Sequence, residues 1–180
     1  SFSLFGQSDE NTCELVSKIN TLLQQEHFKP KKVDDSLSVY VFDNLIDALD
    51  FNRNIFTKKE YLKLRKHRLK LDNYILKNNC SFMNEFISIY KTALIRKKNV
   101  LEKIQNDPFD YTKNDSIRFS KKNFPFDLVA KDLDYVWKKR IKYTILEDIS
   151  KMSTNLDSLT ENFSELVKIT KAKLFDANLC

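Results

Sequence analysis

The chain is nearly devoid of glycine, with a single residue, Gly6, in 180. A chain of this length and average composition would carry about a dozen. Glycine serves where the backbone takes a positive φ, turns tightly or approaches a phosphate closely. Its absence after residue 6 excludes glycine-rich phosphate loops, dinucleotide fingerprints and a glycine-flanked nucleophile elbow. The same absence favours an all-helical protein.

Patterns of metal ligands and disulfides are also scarce. The three cysteines, Cys13, Cys80 and Cys180, are odd in number and widely spaced, which argues against a disulfide framework. No CxxC pair is present, so we expect no structural zinc site. We interpret His27 and His67 as surface or partly packed histidines, because no ligand-like cluster surrounds either. The sequence therefore predicts no catalytic, cofactor-binding or metal-binding residue in this chain, and no cofactor.

Long apolar runs are missing as well. No run approaches the ~20 residues that span a bilayer, so we expect no transmembrane segment. The stretch 2–6 is short and apolar, ends in a small residue and precedes a polar stretch over 8–11. Residues 1–8 therefore fit either the remnant of a secretory signal peptide or a disordered terminus.

The chain does have abundant apolar and aromatic residues. Apolar residues make up 42% of it and aromatic residues 12%, which is enough for a packed core and argues against disorder. The net charge of +6 is mild for this length and mixed in sign along the chain. A soluble surface explains this charge better than a nucleic-acid interface does.

Apolar periodicity predicts about six helices in an irregular bundle. The predicted ranges are 14–27, 35–50, 58–78, 82–105, 131–150 and a last helix that starts at Asn155 or Asp157. The first helix carries an apolar stripe at helical spacing, formed by Leu15, Val16, Ile19, Leu22 and Leu23. The third and fourth helices form a long αα-hairpin over 58–105.

Residues at the predicted helix starts and in the fifth helix support these ranges. Asp34 or Asp35 can cap the second helix. Thr57 stands three residues before Glu60, a capping-box spacing that opens the third helix. Trp137, the only tryptophan, is interpreted as a core anchor of the fifth helix.

The stretch 107–126 interrupts the helical pattern. Phe109, Tyr111, Ile117 and Phe119 stand among polar residues there without a helical period. We interpret this stretch as an extended, aromatic-rich connection that lies across the bundle and is pinned by its aromatic side chains. Its length exceeds that of an ordinary connection, which indicates a packing or interaction role.

The most basic stretch lies within 58–70. It contains Lys58, Lys59, Lys63, Arg65, Lys66, Arg68 and Lys70. Such a cluster can bind phosphates or an acidic partner, or it can form a solvated outer face. We favour the solvated face, because aromatic residues for base stacking are not interleaved with these cations.

Three stretches together resemble one known family. Residues 49–56, Leu-Asp-Phe-Asn-Arg-Asn-Ile-Phe, resemble the Leu-Asp-Pro-Asn-Arg-x-x-Phe link in the N-terminal helical domain of tail-specific, or carboxy-terminal-processing, serine proteases. The second stretch is 109–117, with Phe-Asp-Tyr followed by Asp-Ser-Ile. The third, 133–142, is similar to the family's Leu-x-x-x-Trp-x-x-Arg-(Ile/Leu/Val)-Lys helix. Their order and spacing match the family, although Phe51 replaces the usual proline.

This resemblance implies a single helical N-terminal domain over 9–180, which ends before the PDZ and protease domains of a longer protein. The family is periplasmic or bound to the cell envelope, recognises apolar C-termini through the PDZ domain and cleaves with a serine–lysine pair. The resemblance therefore implies a non-catalytic role in scaffolding, substrate enclosure and adaptor docking. The implied partners are the PDZ and protease domains, protein substrates and an adaptor protein, with no nucleic acid.

An envelope location would place the cysteines in an oxidising compartment. We still expect no intramolecular disulfide, because Cys13 and Cys80 lie in separate predicted helices. Two other functions stay open: a stand-alone helical module that binds a protein partner, and a nucleic-acid binder that uses the basic stretch 58–70. The sequence downstream of Cys180 would separate the protease domain from the stand-alone module.

Overall fold

A computed structural model of the protein describes residues 9–118 and 125–179, and in these ranges the structure is all-α without any strand. This confirms the predicted fold class. The eight α-helices found there are α1 Asp9–Glu26, α2 Asp35–Leu49, α3 Lys58–Arg65, α4 Leu71–Leu76, α5 Ser81–Asn106, α6 Leu133–Ser150, α7 Leu156–Glu161 and α8 Phe163–Leu179. A short 3₁₀ turn at Ala130–Asp132 precedes α6. The two interpretations of residues 1–8, and the positions of Phe119 and Cys180, lie outside the described residues.

The predicted helix 58–78 is divided into α3 and α4. In the turn between them, the N–H groups of His67 and Arg68 donate to carbonyls three residues earlier, at 3.0 and 3.1 Å. Tertiary partners hold this turn. The Arg68 guanidinium donates two hydrogen bonds to Asp43 of α2, while the His67 ring contacts Glu85 of α5. These two contacts point to different neighbouring helices, which explains why one continuous helix does not form.

The predicted caps of α2, α3 and the last helical stretch are confirmed, whereas the start of α5 has no side-chain cap. The Asp34 carboxylate accepts the N–H groups of Ser36 and Leu37 and so opens α2. Thr57 and Glu60 form the reciprocal capping box of α3. Asn155 caps α7, and the predicted last helix is divided at Asn162 into α7 and α8.

Two core clusters share one long helix, α5. The first cluster joins α5 to α2, α3 and α4, and its buried side chains include Phe42, Ile46, Phe56, Leu64, Phe82 and Phe86. The second cluster joins α5 to α6 and α8, and its buried side chains include Val100, Leu101, Ile104, Ile145, Ile149 and Phe175. At 1.5 Å per residue, the 26 residues of α5 span about 39 Å. The helix therefore serves as the common spine of both clusters.

The connection predicted over 107–126 contains no helix in its described parts, 107–118 and 125–126. Phe109 and Tyr111 pack against the second core cluster, and Phe126 packs against the first. The interpretation of an aromatic-pinned connection is therefore confirmed for these three side chains. Trp137 of α6 likewise packs against the second cluster, although it is half-buried.

Helix α1 turns an unexpected face towards the bundle. The predicted apolar stripe is exposed: Leu15 is 56% exposed and Leu22 is 59% exposed. The inward face instead carries buried Cys13, with Ser17 and Asn20 half-buried. Apolar periodicity correctly indicated an amphipathic helix, but it did not determine which face packs inward.

A disulfide explains this orientation and corrects the sequence-based expectation. Cys13 of α1 is bonded to Cys80, immediately before α5, with 5.7 Å between the two Cα atoms. The expectation of no intramolecular disulfide rests on the assignment of the two cysteines to separate predicted helices. That expectation was wrong, since packing brings the N-terminal part of α1 against the start of α5 despite a separation of 67 residues.

Within the described ranges, two residues other than glycine take the left-handed backbone conformation. Arg53 has φ of 52° and Asn78 has φ of 50°. Asn78 follows the last residues of α4, where a left-handed residue commonly ends a helix and asparagine is tolerated. Arginine is not favoured in this conformation. The left-handed backbone of Arg53 therefore depends on the contacts of its side chain, described below.

We expect Phe42→Ala to lower the free energy of unfolding by about 3–5 kcal/mol, because it would leave a cavity in the first core cluster. Phe42 is fully buried, whereas Tyr40 on the same helix is 66% exposed. Tyr40→Ala is therefore the matched control, with an expected change within about 0.5 kcal/mol. Urea denaturation followed by circular dichroism measures both, and equal losses would contradict the assignment of this core.

Candidate functional site: the junction of three segments

The loop 50–57 is built around the buried carboxylate of Asp50. Its oxygens accept the N–H groups of Asn54, Ile55 and Phe56 at 2.8, 3.1 and 3.0 Å. Burial raises the pKa of the Asp50 carboxyl, against the lowering effect of these three donors and of the nearby Arg53. The carboxylate closes the loop after α2 and places Phe56 in the first core cluster.

Arg53 is held from several directions, which accounts for its left-handed backbone. Its guanidinium donates to the Asp50 carbonyl at 2.7 Å and forms an ion pair with Asp47. It also lies over the Phe126 ring, 4.5 Å from the ring centroid. The Phe126 ring in turn stacks on Tyr61 of α3 at 3.9 Å. These contacts fasten the far end of the connection to the loop.

Glu60 joins the capping box to the spine helix. Arg96 of α5 donates to both Glu60 carboxylate oxygens at 2.7 and 2.8 Å, and to the carbonyl of Ile55 at 2.9 Å. Burial acts to raise the pKa of the Glu60 carboxyl, but the hydrogen bonds from Arg96 and Thr57 outweigh it. The pKa therefore lies below its ordinary value of 4.5.

A buried lysine of α6 fastens the first part of the connection. Lys142 is only 6% exposed, and its ammonium donates to the Asp115 carboxylate at 2.6 Å and to the Lys113 carbonyl at 3.1 Å. One turn earlier, Lys139 donates to the carbonyl of Ser116 at 2.8 Å. The helix α6 therefore holds the backbone of this segment with two successive cations.

The same helix also holds the loop 50–57. The Trp137 indole N–H donates to the Asn54 carbonyl at 3.1 Å, and Arg140 donates to the Asn52 side chain at 2.8 Å. We call this meeting of the loop 50–57, the segment 107–118 and α6 the junction. It brings together the three stretches that carried the family resemblance. Phe51, which replaces the family's proline, is largely exposed there.

An open cleft of about 670 Å³ lies at the junction. The loop contributes Asn52 and Asn54, and the connection contributes Ser116. Asp127, just after the connection, and Arg140 of α6 also line the cleft. On one side the guanidinium of Arg118 pairs with Asp127 at 2.7 Å. The lining of the cleft is mixed, because the apolar side chains of Ile117, Leu128 and Val136 stand beside these polar and charged groups.

The cleft does not present an evident catalytic arrangement. A serine and a lysine meet there, but the Lys139 ammonium contacts the backbone carbonyl of Ser116. Within residues 9–118 and 125–179, no group of three or more histidine, cysteine, aspartate or glutamate side chains could hold a metal ion. No helix in the same ranges is both long and apolar enough to cross a lipid bilayer.

The two histidines lie away from the junction. The His27 ring accepts the N–H of Lys29 and is exposed. The His67 ring contacts the Tyr74 hydroxyl at 2.8 Å and the Glu85 carboxylate at 2.7 Å, and is partly buried. Both therefore match the predicted surface or partly packed histidines.

The basic stretch 58–70 lies mostly in solvent, as expected for an outer face. Arg68 is the exception, because it is half-buried against Asp43. The exposed cations of the stretch are Lys58, Lys59, Lys63, Arg65, Lys66 and Lys70.

Sequence reasoning missed the buried pair of Lys142 and Asp115. The sequence did indicate that Lys142 faces inward, because it shares the helical spacing of the buried residues Ile145 and Ile149. A lysine at an inward position requires a partner. The sequence does not indicate that the partner lies 27 residues earlier, in a stretch without periodicity.

Comparisons with known proteins give one family match and two relatives of the chain. The sequence profile of the family described as tail specific protease N-terminal domain matches residues 19–178. A tail-specific protease of Haemophilus influenzae is 27% identical over 159 residues, covering 87% of this chain and 22% of the relative. An uncharacterized protein of Methanocaldococcus jannaschii is 28% identical over 100 residues, covering 53% of this chain and 51% of the relative. The chain thus spans about a fifth of the first relative and half of the second.

We expect Asp115→Asn to lower the free energy of unfolding by about 2 kcal/mol, because it leaves the buried Lys142 ammonium without its counter-ion. The control is Asp134→Asn, which removes a carboxylate from an exposed pair with Lys103. Exposed pairs contribute little, so its loss should be clearly smaller. Denaturant titration compares the two, and a larger effect at Asp134 would contradict the role of the buried pair.

The lowered pKa of Glu60 predicts a pH dependence. The stability that ionised Glu60 contributes is present above its unfolded-state pKa, and is lost as the pH falls through the lower, folded-state value. Glu60→Gln should therefore cost about 1–3 kcal/mol at pH 7, and this difference from the unsubstituted protein should shrink below pH 4.5. Urea titrations of both proteins between neutral and acid pH measure it. A difference that is independent of pH would contradict the pKa assignment.

Proposed function

Because the chain belongs to the family of tail specific protease N-terminal domains, we propose that it is the non-catalytic helical domain of a periplasmic carboxy-terminal-processing serine endopeptidase. In this proposal the domain provides a scaffold, helps to enclose the substrate and docks an adaptor protein. The larger enzyme recognises apolar C-termini through a PDZ domain. It cleaves with a serine–lysine pair that lies outside this chain.

The junction is the observation that supports the scaffold role. Three stretches far apart in the sequence are joined there by buried or half-buried polar contacts, among them Lys142 to Asp115 and Trp137 to Asn54. Buried contacts of this kind hold segments in one arrangement, because separating them would leave charges and polar groups unpaired. This supports a domain that keeps its shape while a substrate moves past it.

The cleft supports the enclosure role. It is open, and its lining includes the basic residues Arg118, Lys139 and Arg140 together with Asn52 and Asn54 of the loop 50–57. Such a surface can contact the main chain and acidic side chains of an unfolded polypeptide.

The Cys13–Cys80 disulfide supports the periplasmic location. Disulfides persist in oxidising compartments such as the bacterial periplasm and are rare in the cytosol. The proposal therefore includes export of the protein, in agreement with the apolar stretch 2–6.

The test uses the full-length protease and two substrates that share an apolar C-terminal sequence, one a protein reporter and one a short peptide. Arg140→Ala removes a side chain at the cleft rim, and Lys103→Ala on the exposed side of α5 is the control. We expect Arg140→Ala to lower kcat/KM several-fold for the protein reporter, with kcat/KM for the peptide unchanged, because only the long substrate reaches the cleft.

An equal loss for both substrates, or no loss for either, would contradict the enclosure role. The isolated chain should not hydrolyse either substrate. Hydrolysis by the isolated chain that disappears on replacement of one of its own serines would overturn the non-catalytic assignment. A gene in which no PDZ and protease segments follow Cys180 would instead favour the stand-alone interaction module.

A further inference from the structure

Helix α1 is held with its apolar side facing the solvent. Leu15, Ile19, Leu22 and Leu23, which we call the α1 stripe, are 56%, 47%, 59% and 52% exposed. The opposite side, which faces the bundle, carries Cys13 and two polar residues. This arrangement is the reverse of the usual one, in which the apolar face of an amphipathic helix packs inward.

The angle between the two faces follows from helix geometry. Successive residues are separated by about 100° around the axis, so the stripe is centred about 155° away from the face of Cys13 and Ser17. A rotation of α1 by roughly this angle about its own axis would turn the stripe inward without unwinding the helix.

An apolar groove next to α1 could receive the stripe. It has a volume of about 280 Å³ and lies where α1 meets α2, α4 and α5. Its apolar lining from these three helices comprises Val41, Leu45, Leu71, Ile75, Phe82 and Met83. On α1 the groove is bordered by Cys13, Val16 and Ser17, so it lies on the side of the helix away from the stripe. The rotation would bring the stripe against this apolar lining, and removing the stripe from water is favourable.

Covalent bonding opposes this rotation. The disulfide fixes Cys13 against Cys80 at the start of α5. A hydrogen bond from the Ser17 hydroxyl to the Ile75 carbonyl, 2.8 Å long, holds the same face one turn later. Once the covalent bond is broken, the exposed stripe favours rotation. The half-buried hydrogen bond of Ser17 and an exposed hydrogen bond from the Gln24 side chain to the Lys31 carbonyl oppose it.

We propose that the Cys13–Cys80 disulfide is a redox latch that keeps the α1 stripe in solvent, and that its reduction lets α1 rotate and bury the stripe in the groove between α2, α4 and α5. The oxidised protein presents an apolar helix surface, and the reduced protein withdraws it. The occupant of the groove in the reduced form is thus the protein's own helix.

The reductant is a dithiol of the thioredoxin or dithiothreitol class. Its thiolate attacks the sulfur of Cys80, which is half-buried and so more accessible than Cys13. The S–S bond breaks, Cys13 leaves as a thiolate and takes up a proton, and a mixed disulfide forms at Cys80. The second thiol of the reductant then displaces Cys80, which is also protonated. Two electrons reach the protein, and the reductant becomes a cyclic disulfide.

The test records methyl NMR spectra of the whole chain in the presence of a soluble paramagnetic agent, before and after dithiothreitol. Cys180→Ser serves as the background, so that only Cys13 and Cys80 can form a disulfide. We expect the paramagnetic relaxation of the Leu15 and Leu22 methyl groups to fall several-fold on reduction. The control is the methyl signal of Leu62 on α3, which is 45% exposed and should not change.

The variant Cys13→Ser in the same background should give the reduced spectrum without any reductant. If this variant does not fold, reduction of the oxidised protein in situ provides the same comparison, and Trp137 fluorescence verifies that the second core cluster stays intact. Stripe methyl groups that remain exposed would overturn the proposal. Two further outcomes would also overturn it. One is rapid hydrogen exchange throughout α1 on reduction, which indicates melting of the helix, and the other is unfolding of the whole domain.

Discussion

The buried carboxylate of Asp50 is the interaction on which the arrangement of the junction depends. By accepting three consecutive N–H groups, it closes the loop after α2 within a few residues and without glycine. The closed loop places Phe56 in the first core cluster and presents the Asn54 carbonyl to Trp137 of α6. A chain almost without glycine has thus closed this loop with a side-chain acceptor and a left-handed arginine.

The two core clusters act as one body because polar contacts supplement the shared helix α5. Glu60 at the start of α3 is bound by Arg96 of α5, and Lys142 of α6 binds the backbone and side chains of the segment 107–118. These pairs are directional and require specific partners, whereas apolar packing alone tolerates small shifts. The scaffold role proposed above would need this kind of fixed geometry.

Much of the fold could be predicted from sequence, and the failures share one physical cause. Caps such as Asp34 and the Thr57–Glu60 box were predictable because they depend on residues three or four positions apart. The break between α3 and α4 was not, because it depends on Asp43 and Glu85, which are distant in sequence. The partner of Lys142 and the disulfide were missed for the same reason. In the candidate site, the resemblance identified the three stretches, but their mutual contacts appeared only in the folded chain.

The sequence by itself determined the all-α class, most helix ranges, the helix caps and the family to which the chain is similar, because periodicity, capping and motif order are local properties. The tertiary structure decided which face of α1 packs inward, which distant groups meet at the junction, and that Cys13 meets Cys80. Such pairings depend on how the helices are placed in space, and neither the spacing of apolar residues nor the lack of glycine encodes that placement.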